Sequence, residues 1–241
     1  MRKPHSNSPY DYGVSVCIPV YNEEGSIEEA IKSAAVTLQQ TGVPGEIIVV
    51  DDCSMDRTGE ILLRLKDIVP RLQIRRHEVN QGIAKTFEEL YHWANMDLVF
   101  LNSADGQWSM DTLLNMFPLT NRYDLIVARR REKHYGPKRL LVSWLFNILP
   151  IVLFRTKTYD AGSVKLVRRE IYDIPIKSSG VFAEAERIIR ASRLGYRIGV
   201  VDVEHFPRKS GKATGAKFSL VIEGVIDLCR CWIDIVLLRR G

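Results

Sequence analysis

The sequence predicts an α/β fold in which a mainly parallel sheet is flanked by helices. Short apolar runs alternate with longer segments whose apolar residues recur at helical spacing, as in consecutive strand–helix–strand units. The 241 residues are 46% hydrophobic, which is enough for one large core or two small ones. Three predicted strands also end in polar turns that carry acids, and in a parallel sheet such turns share one edge. These acids are Glu23, then Asp51 and Asp52, then Asp105.

The first half of the chain contains four of these strands. Pro70 ends the second helix, and Ser54 is the predicted N-cap of that helix. The turn Asn80-Gln81-Gly82 leads into the third helix. We predict strands over 14–20, 46–50, 72–76 and 98–101, and helices whose apolar faces include Ile31, Leu62 and Leu90.

The stretch around Asp105 combines an apolar strand with a small-residue turn that carries one carboxylate. Gly106 follows the acid directly. An acid at the carboxyl end of a strand is well placed to hold a divalent metal against a phosphate. A capping aspartate in an ordinary turn is the alternative from this stretch alone.

After this stretch, Ser109 is the predicted N-cap of a short helix over 110–117, and a fifth strand covers 124–129. A basic stretch follows, which is either a solvated loop or a clamp for phosphate or anionic lipid. Its members are Arg129, Arg130, Arg131, Lys133, Lys138 and Arg139.

Two apolar segments follow in the second half. Residues 140–154 are too short and too interrupted by Pro150 to span a bilayer, which needs about 20 residues. Their basic flanks and Trp144 suit a helix lying in a membrane interface, and a core helix is the alternative. The final helix, 218–238, is amphipathic with four charges on one stripe. It is predicted to lie on a membrane, on a partner or on its own domain.

Bulk properties limit the function classes. A net charge of +5 and a pI of about 9.0 suit a nucleotide, a phosphate or an anionic membrane surface, but are too weak to indicate nucleic acid. The four cysteines form neither a disulfide framework nor a zinc pattern, which favours a reducing compartment. The polar N-terminus does not look like a signal peptide. We therefore expect a cytoplasmic location, peripheral at the cytoplasmic face of a membrane.

Several motifs resemble the family-2 glycosyltransferases, which have the GT-A fold, a nucleotide-binding α/β sandwich. They are Pro19-Val20-Tyr21-Asn22-Glu23-Glu24, 49–58 and Asn80-Gln81-Gly82. The second half resembles the branch that makes dolichyl- or polyprenyl-phosphate sugars, through 160–169, Phe182 and Glu186, 195–198, His205 and 208–213. The resemblance implies a GT-A domain over 13–215. The polar composition of 1–12 predicts a loose arm, and 216–241 are predicted to form an amphipathic helix for which a membrane interface is one location. Many relatives carry transmembrane helices after the domain, where this chain has the amphipathic helix. The family's Asp-x-Asp metal motif here is Ser103-Ala104-Asp105, so that its first acid is a serine.

The resemblance also implies roles for individual residues. Asp105 would act in catalysis and, with Gln107, would bind Mg²⁺ or Mn²⁺. Glu186 and Arg208 are the other implied catalytic residues. The implied nucleotide ligands are Pro19, Tyr21, Glu23, Asp51 and Asp52, with a turn cap as the alternative for Asp51, and the implied phosphate or acceptor ligands are Arg129, Asp160, Ser163, Arg208 and Lys212.

These roles predict a metal-dependent enzyme that moves a hexose from a GDP- or UDP-sugar to a polyprenyl or dolichyl phosphate, with inversion. A lipid phosphate already carries a nucleophilic oxygen at neutral pH. A hydroxyl acceptor in polysaccharide or glycolipid assembly would need a carboxylate base, for which Glu184 and Glu186 are candidates. A non-catalytic nucleotide-sugar binding protein is a further alternative, motivated by Ser103. The C-terminal helix also offers a surface for a second copy or a membrane partner protein.

Overall fold

The computed structural model describes residues 12–131, 137–204, 206 and 218–238. The predictions for residues 1–11, Lys133, His205, Arg208 and Lys212 lie outside the described residues.

The described residues form one seven-stranded sheet flanked by helices. The strands are β1 Val14–Val20, β2 Gly45–Asp51, β3 Leu72–Arg76, β4 Leu98–Leu101, β5 Leu125–Arg130, β6 Lys165–Arg168 and β7 Ile198–Val203. Their order across the sheet is β3-β2-β1-β4-β6-β5-β7. Every pairing is parallel except those of β6, which runs antiparallel between β4 and β5. The predicted mainly parallel sheet is confirmed.

Helices cover both faces of the sheet because alternate residues of each buried strand point to opposite faces. One core cluster joins the first, second and fourth helices to the sheet, and Leu90 and Ile188 anchor the third and sixth helices on the other face. The helices are α1 Ile27–Thr41, α2 Thr58–Lys66, α3 Ile83–Trp93, α4 Asp111–Met116, α5 Pro137–Phe154, α6 Ala183–Arg193 and α7 Phe218–Trp232.

The predicted helix caps had different outcomes. Ser109 accepts a hydrogen bond from the backbone N–H of Asp111 at the start of α4, at 3.1 Å. Ser54 does not cap α2, which begins at Thr58. Its hydroxyl instead accepts the backbone N–H of Asn22 from the loop after β1, at 2.9 Å, so that Ser54 joins two loops at the sheet edge.

A crevice opens in the sheet between β1 and β4. The seven-residue β1 pairs with the four-residue β4 only along Val14–Cys17, so the end of β1 extends past its neighbour. The strand order also reverses direction here, because β2 and β3 lie on one side of β1 and β4 on the other. Ligands of open α/β sheets bind at such switch points. The backbone oxygen of Cys17 accepts a hydrogen bond from the backbone N–H of Asn102, which follows β4. The backbone of Pro19, two residues later, points to the same side, where β4 has already ended. A proline is tolerated there because its backbone nitrogen has no hydrogen to donate to a neighbouring strand.

The C-terminal helix packs against its own domain. Leu228, Cys231 and Ile235 share a buried cluster with Phe182 and Ile189 of the α6 region. A polar network reinforces the contact, since Arg190 donates to both Glu186 and Asp234, at 2.7 Å each, and Lys177 also pairs with Asp234. Of the three alternatives for this helix, the structure therefore supports packing on its own domain for this face.

The opposite sides of α5 and α7 present apolar side chains to solvent. Trp144 is 56% exposed and Val152 is 70% exposed, whereas Phe146 and Leu153 of α5 pack into the buried cluster. Helix α5 is thus a core helix on one side and an apolar surface on the other. Within the described residues, no helix combines the length and apolar character that a membrane crossing requires. The exposed apolar residues of α7 and its last turn include Ile222, Val225, Ile226, Ile233, Val236 and Leu237.

The substitution Glu186→Gln tests the polar network beneath α7. Glu186 is 0% exposed and accepts bonds from Arg190 and from the backbone and hydroxyl of Ser178. Because a neutral amide replaces a buried acceptor with a donor, we expect the free energy of unfolding to fall by about 2 kcal/mol in urea denaturation. Glu170→Gln, at an exposed position, is the control and should change it by less than about 0.5 kcal/mol. Equal stabilities of the two variants would contradict the network's role.

Candidate functional site

Two loops at the carboxyl edge of the sheet are joined by reciprocal hydrogen bonds. The backbone of Asn22 donates to Ser54, and its side-chain oxygen accepts the N–H of Met55 at 2.8 Å. The N–H of Glu23 donates to the hydroxyl of Thr58 at 2.9 Å. Asn22 adopts φ 54°, a left-handed conformation that asparagine tolerates better than most residues. The loop after β1 is therefore fixed against the loop after β2.

Three predicted nucleotide ligands lie on or directly after β1. Pro19 is buried and borders the crevice. Tyr21 follows β1 directly and is 47% exposed. Glu23 is buried, and its carboxylate accepts the hydroxyl of Ser26 at 3.0 Å. The three residues thus lie along one side of the crevice.

Asp51 ends β2 with one engaged oxygen and one that accepts no hydrogen bond. Its Oδ1 accepts the N–H of Ser54 at 2.9 Å, which is the turn-capping role given as the alternative. Its Oδ2 is buried, accepts no hydrogen bond among the described residues and lies 3.5 Å from the Nε of Arg76. Because a buried carboxylate oxygen normally has hydrogen-bond partners, this atom is a candidate acceptor for a ligand.

Asp52 holds the turn that precedes α3. Its two oxygens accept the N–H groups of Gln81 and Gly82, at 2.7 and 2.8 Å. His77, directly after β3, bridges Asp52 and Glu89 with its two ring nitrogens, each at 2.6 Å. Asp52 is thus already occupied with positioning this turn, a role that the sequence did not indicate.

The charge state of His77 follows from this bridge. Burial alone lowers the pKa of His77, but the hydrogen bonds to Asp52 and Glu89 outweigh it, so that the pKa is raised. The protonated ring donates to both carboxylates, whereas a neutral ring can donate to one of them. Its position directly after a strand, like that of the predicted acids, was the available sequence signal.

Asp105 lies in the loop that leaves β4, at the other side of the crevice. The hydroxyl of Ser103 and the N–H of Gln107 both donate to its Oδ1, at 2.5 and 3.1 Å. The serine that replaces the family's first acid therefore orients the remaining carboxylate. The backbone oxygen of Gln107 accepts the N–H of Phe206 at 3.0 Å, which ties this loop to the segment after β7.

The donor set around Asp105 fits a metal ion that a substrate phosphate helps to hold. Among the described residues, no group of three or more His, Cys, Asp and Glu side chains could hold a metal. Magnesium at phosphate sites is usually bound by one or two carboxylates together with the phosphates. A single buried, oriented carboxylate beside the crevice matches that pattern.

Arg129 and Arg130, at the end of β5, point to opposite faces of the sheet. Arg129 pairs with Asp202, its neighbour across β5 and β7, on the exposed surface, with bonds of 2.6 and 2.9 Å. The next side chain points to the other face of the strand, where Arg130 makes two bonds of 2.5 Å to Asp160. The structure therefore brings Arg130, and not the predicted Arg129, to the loop before β6, and phosphate binding at this position stays a prediction.

The loop before β6 brings its two predicted ligands to the same edge. Asp160 is buried and forms the ion pair with Arg130. Ser163 is buried, and its hydroxyl donates to the backbone oxygen of Ala128. Since β6 is antiparallel, its amino end lies where the parallel strands end.

Neither Glu184 nor Glu186 is arranged as a general base. Both lie in the first turn of α6, not before it. Burial raises the pKa of Glu184, but the charges of Lys165 and Arg187 outweigh it, so that the pKa is lowered. Burial likewise raises the pKa of Glu186, and its bonds from Ser178 and Arg190 bring the pKa below its ordinary value. A general base works best with a pKa near the working pH, so the prediction of Glu186 as a catalytic residue is replaced by a structural role.

The fold and this edge define an α/β protein whose strand-end loops gather several carboxylates beside a topological switch point. The chain belongs to glycosyl transferase family 2, whose family model matches residues 15–174. The predicted family membership is confirmed.

Relatives agree with the predicted polyprenyl-phosphate branch. The undecaprenyl-phosphate 4-deoxy-4-formamido-L-arabinose transferase of Pectobacterium carotovorum is 32% identical over 142 residues, which cover 56% of this chain and 42% of that protein. The transferase of the same name from Edwardsiella ictaluri is 30% identical over 226 residues, which cover 90% of this chain and 67% of that protein. The chain thus spans less than half of the first relative.

Solved structures confirm the GT-A fold. Glucosyl-3-phosphoglycerate synthase from Mycobacterium tuberculosis, in complex with Mn²⁺, uridine diphosphate and phosphoglyceric acid, matches with a TM-score of 0.72 at 18% identity, over 92% of this chain and 79% of that chain. Mannosyl-3-phosphoglycerate synthase from Rubrobacter xylanophilus matches with a TM-score of 0.74 at 15% identity, over 98% and 80%. At these identities the likeness concerns the fold.

The pH dependence of stability tests the bridge made by His77. A raised pKa adds stability that is complete below the unfolded value of about 6.5 and is lost as pH rises through the folded value. The stability advantage of the wild type over His77→Phe should therefore be largest in acid and shrink toward alkaline pH in urea denaturation. The exposed His92→Phe variant should follow the wild type at all pH values. A constant difference between wild type and His77→Phe across this range would contradict the bridge.

Proposed function

We propose that the protein transfers a glycosyl group from a nucleotide sugar to a polyprenyl phosphate, with inversion at the anomeric carbon. Both relatives described above are named as transferases that act on undecaprenyl phosphate. The main support for the proposal is the environment of the two candidate general bases, Glu184 and Glu186. Both carboxylates are ion-paired with buried basic residues, which helps to lower the pKa of each. An acceptor that needs no deprotonation suits such a site.

The nucleotide would lie along the crevice between β1 and β4. Tyr21 and Glu23 would line one side of the nucleotide, and the buried Oδ2 of Asp51 would accept a hydrogen bond from the base or the ribose. Asp52 would contribute to nucleotide binding indirectly, by fixing the turn at Gln81 and Gly82. Asp105 would bind Mg²⁺ or Mn²⁺ together with the diphosphate. The bound metal would stabilise the negative charge that develops on the leaving diphosphate. The side chain of Gln107 remains a predicted ligand.

The acceptor phosphate would bind at Arg130 and the loop over 160–163. A guanidinium offers a planar fork of donors that suits a phosphate. Asp160 would orient Arg130, and Ser163 would fix the loop through Ala128. Arg208 and Lys212 remain predicted phosphate ligands.

In the proposed reaction, an oxygen of the lipid phosphate attacks the anomeric carbon of the sugar. The bond from that carbon to the diphosphate oxygen breaks, and the nucleoside diphosphate leaves with the electron pair. The nucleophile is already anionic near neutral pH, because the second pKa of a phosphate monoester is about 6. No proton is transferred, and a single displacement inverts the configuration.

For the transferred sugar we propose a class of compounds and not a single sugar. The resemblance predicted a hexose, whereas the relatives are named for a formamido-arabinose. The donor therefore belongs to the nucleotide-linked hexoses or aminopentoses.

The exposed apolar faces of α5 and α7 would lie in the membrane interface where the lipid acceptor resides. Trp144, Ile151 and Val152 lie on the exposed side of α5, and Ile226 and Leu237 belong to α7 and its last turn. Apolar side chains with basic flanks are typical of interfacial helices. This contact would be peripheral, at the cytoplasmic face. A second copy or a membrane protein remains an alternative partner for the C-terminal helix.

A product assay tests the proposed function. Purified protein is incubated with Mn²⁺ or Mg²⁺, a panel of UDP- and GDP-linked hexoses and aminopentoses, and a short polyprenyl phosphate. Mass spectrometry should detect the sugar-phospholipid, and NMR should show inverted anomeric configuration. Asp105→Asn should lower kcat by about a hundredfold or more, as expected when charge stabilisation in the transition state is lost.

Asp111→Asn, at an exposed position on α4, is the matched control and should retain wild-type activity. Sugar transfer to a glycosidic hydroxyl without lipid product would refute the proposed acceptor. Donor binding without turnover on any acceptor would instead support a non-catalytic homologue. Full activity of Asp105→Asn would refute the role of Asp105.

A further inference from the structure

Lys165 is a buried cation at the amino end of β6, directly behind the loop over 160–163. It is 2% exposed and lies opposite Leu101 of β4 and Val127 of β5. Its side chain shares the face of Val167, which packs against α6. Burying a lysine is costly unless oxygen atoms surround its ammonium group. Lys165 has such oxygens, and two of them belong to the loop.

The ammonium group draws the loop's carbonyl oxygens inward. Nζ donates to the backbone oxygens of Ala161 and Ser163, at 2.7 and 2.8 Å. The C=O and N–H of a trans peptide point in opposite directions, so the N–H of Gly162 faces away from Lys165. Gly162 is exposed, and a Cβ atom added there would meet no atom within 4 Å, so the loop is open to solvent at this residue. The loop therefore directs a backbone donor outward.

The same loop fixes Arg130. Asp160 makes the ion pair with that guanidinium, and its backbone oxygen accepts the N–H of Ser163 at 2.8 Å, which closes the turn. A shift of the Ala161 and Ser163 carbonyls would therefore move Asp160 and Arg130 with them.

Glu184 holds Lys165 from the opposite side. Its Oε2 lies 3.3 Å from Nζ, and its Oε1 accepts the hydroxyl of Tyr91 at 3.2 Å. Arg187 lies 3.5 Å from the same carboxylate and stacks over the ring of Tyr172 at 4.8 Å. The ammonium group is thus held by Glu184 of α6 and by the loop before β6, and Tyr91 of α3 holds Glu184 in turn.

We propose that Lys165 is a positioning residue, which sets the loop over 160–163 so that Arg130 and the N–H of Gly162 receive the acceptor phosphate. The inference rests on the proposed function for the identity of the acceptor. It assigns a specific task to the pair of Lys165 and Glu184, which no step of the reaction otherwise uses.

The experiment compares the wild type with the double variant Lys165→Met/Glu184→Gln, which removes both buried charges together. Hydrogen exchange of peptides covering 159–164 should be at least about tenfold faster, while peptides covering 98–104 stay unchanged. The KM for a short polyprenyl phosphate should rise about tenfold, the effect of losing one hydrogen bond to a charged group. The Kd for UDP with Mn²⁺ should not change.

Three further variants sharpen the test. Lys165→Arg keeps the charge and should recover part of the acceptor KM, and Lys157→Met, at an exposed position, should match the wild type. Tyr91→Phe removes one hydroxyl bonded to Glu184 and should shift the acceptor KM in the same direction, which provides the test if the double variant does not fold.

The outcomes separate the two proposals. A wild type that makes no sugar-phospholipid overturns the proposed function, whereas hydrogen exchange still measures the loop. A folded double variant with unchanged exchange overturns the role of Lys165. Faster exchange with an unchanged acceptor KM also overturns it, because Lys165 would then stabilise the loop without positioning the acceptor.

Discussion

The site depends on the unequal lengths of β1 and β4. If β4 matched β1, its backbone would fill the space beside Pro19 with a ladder of hydrogen bonds. Because β4 stops at Leu101, the chain leaves the sheet there and carries Asp105 across the gap. The reversal of strand order at the same place keeps any helix connection from covering it. One difference in strand length thus produces both the crevice and its acidic wall.

The charged groups around this crevice are mostly neutralised by one another. Asp52 is matched by His77, Asp160 by Arg130, Glu184 by Lys165 and Glu186 by Arg190. Such pairs position loops and helices. Asp51 also has a cationic neighbour, Arg76 at 3.5 Å, but its buried Oδ2 accepts no hydrogen bond among the described residues. This distribution favours chemistry by positioning and charge stabilisation over proton transfer.

The sequence predicted the sheet, the helices and the family well, because those features depend on local patterns. Strand runs and helical periodicity are properties of neighbouring residues, and the predicted strand over 72–76 coincides with β3. The roles of individual side chains were harder to predict, because the residues that they contact are distant in sequence. For example, Arg130 and not Arg129 lies at the loop before β6, because the two side chains point to opposite faces of β5. Arg129 instead pairs with Asp202, which belongs to β7 and is 73 residues away in sequence. The resemblance implied a catalytic Glu186, and the sequence alone could not place Ser178 or Asp234 beside its helix to indicate the structural role.

The most direct test of the account is a crystal structure with Mn²⁺ and uridine diphosphate bound. The account predicts the diphosphate in the crevice between β1 and β4, with the metal about 2.0–2.3 Å from a carboxylate oxygen of Asp105. It also predicts the nucleoside within hydrogen-bonding distance of Asp51. A nucleotide bound away from this crevice, or a metal held without Asp105, would contradict the account.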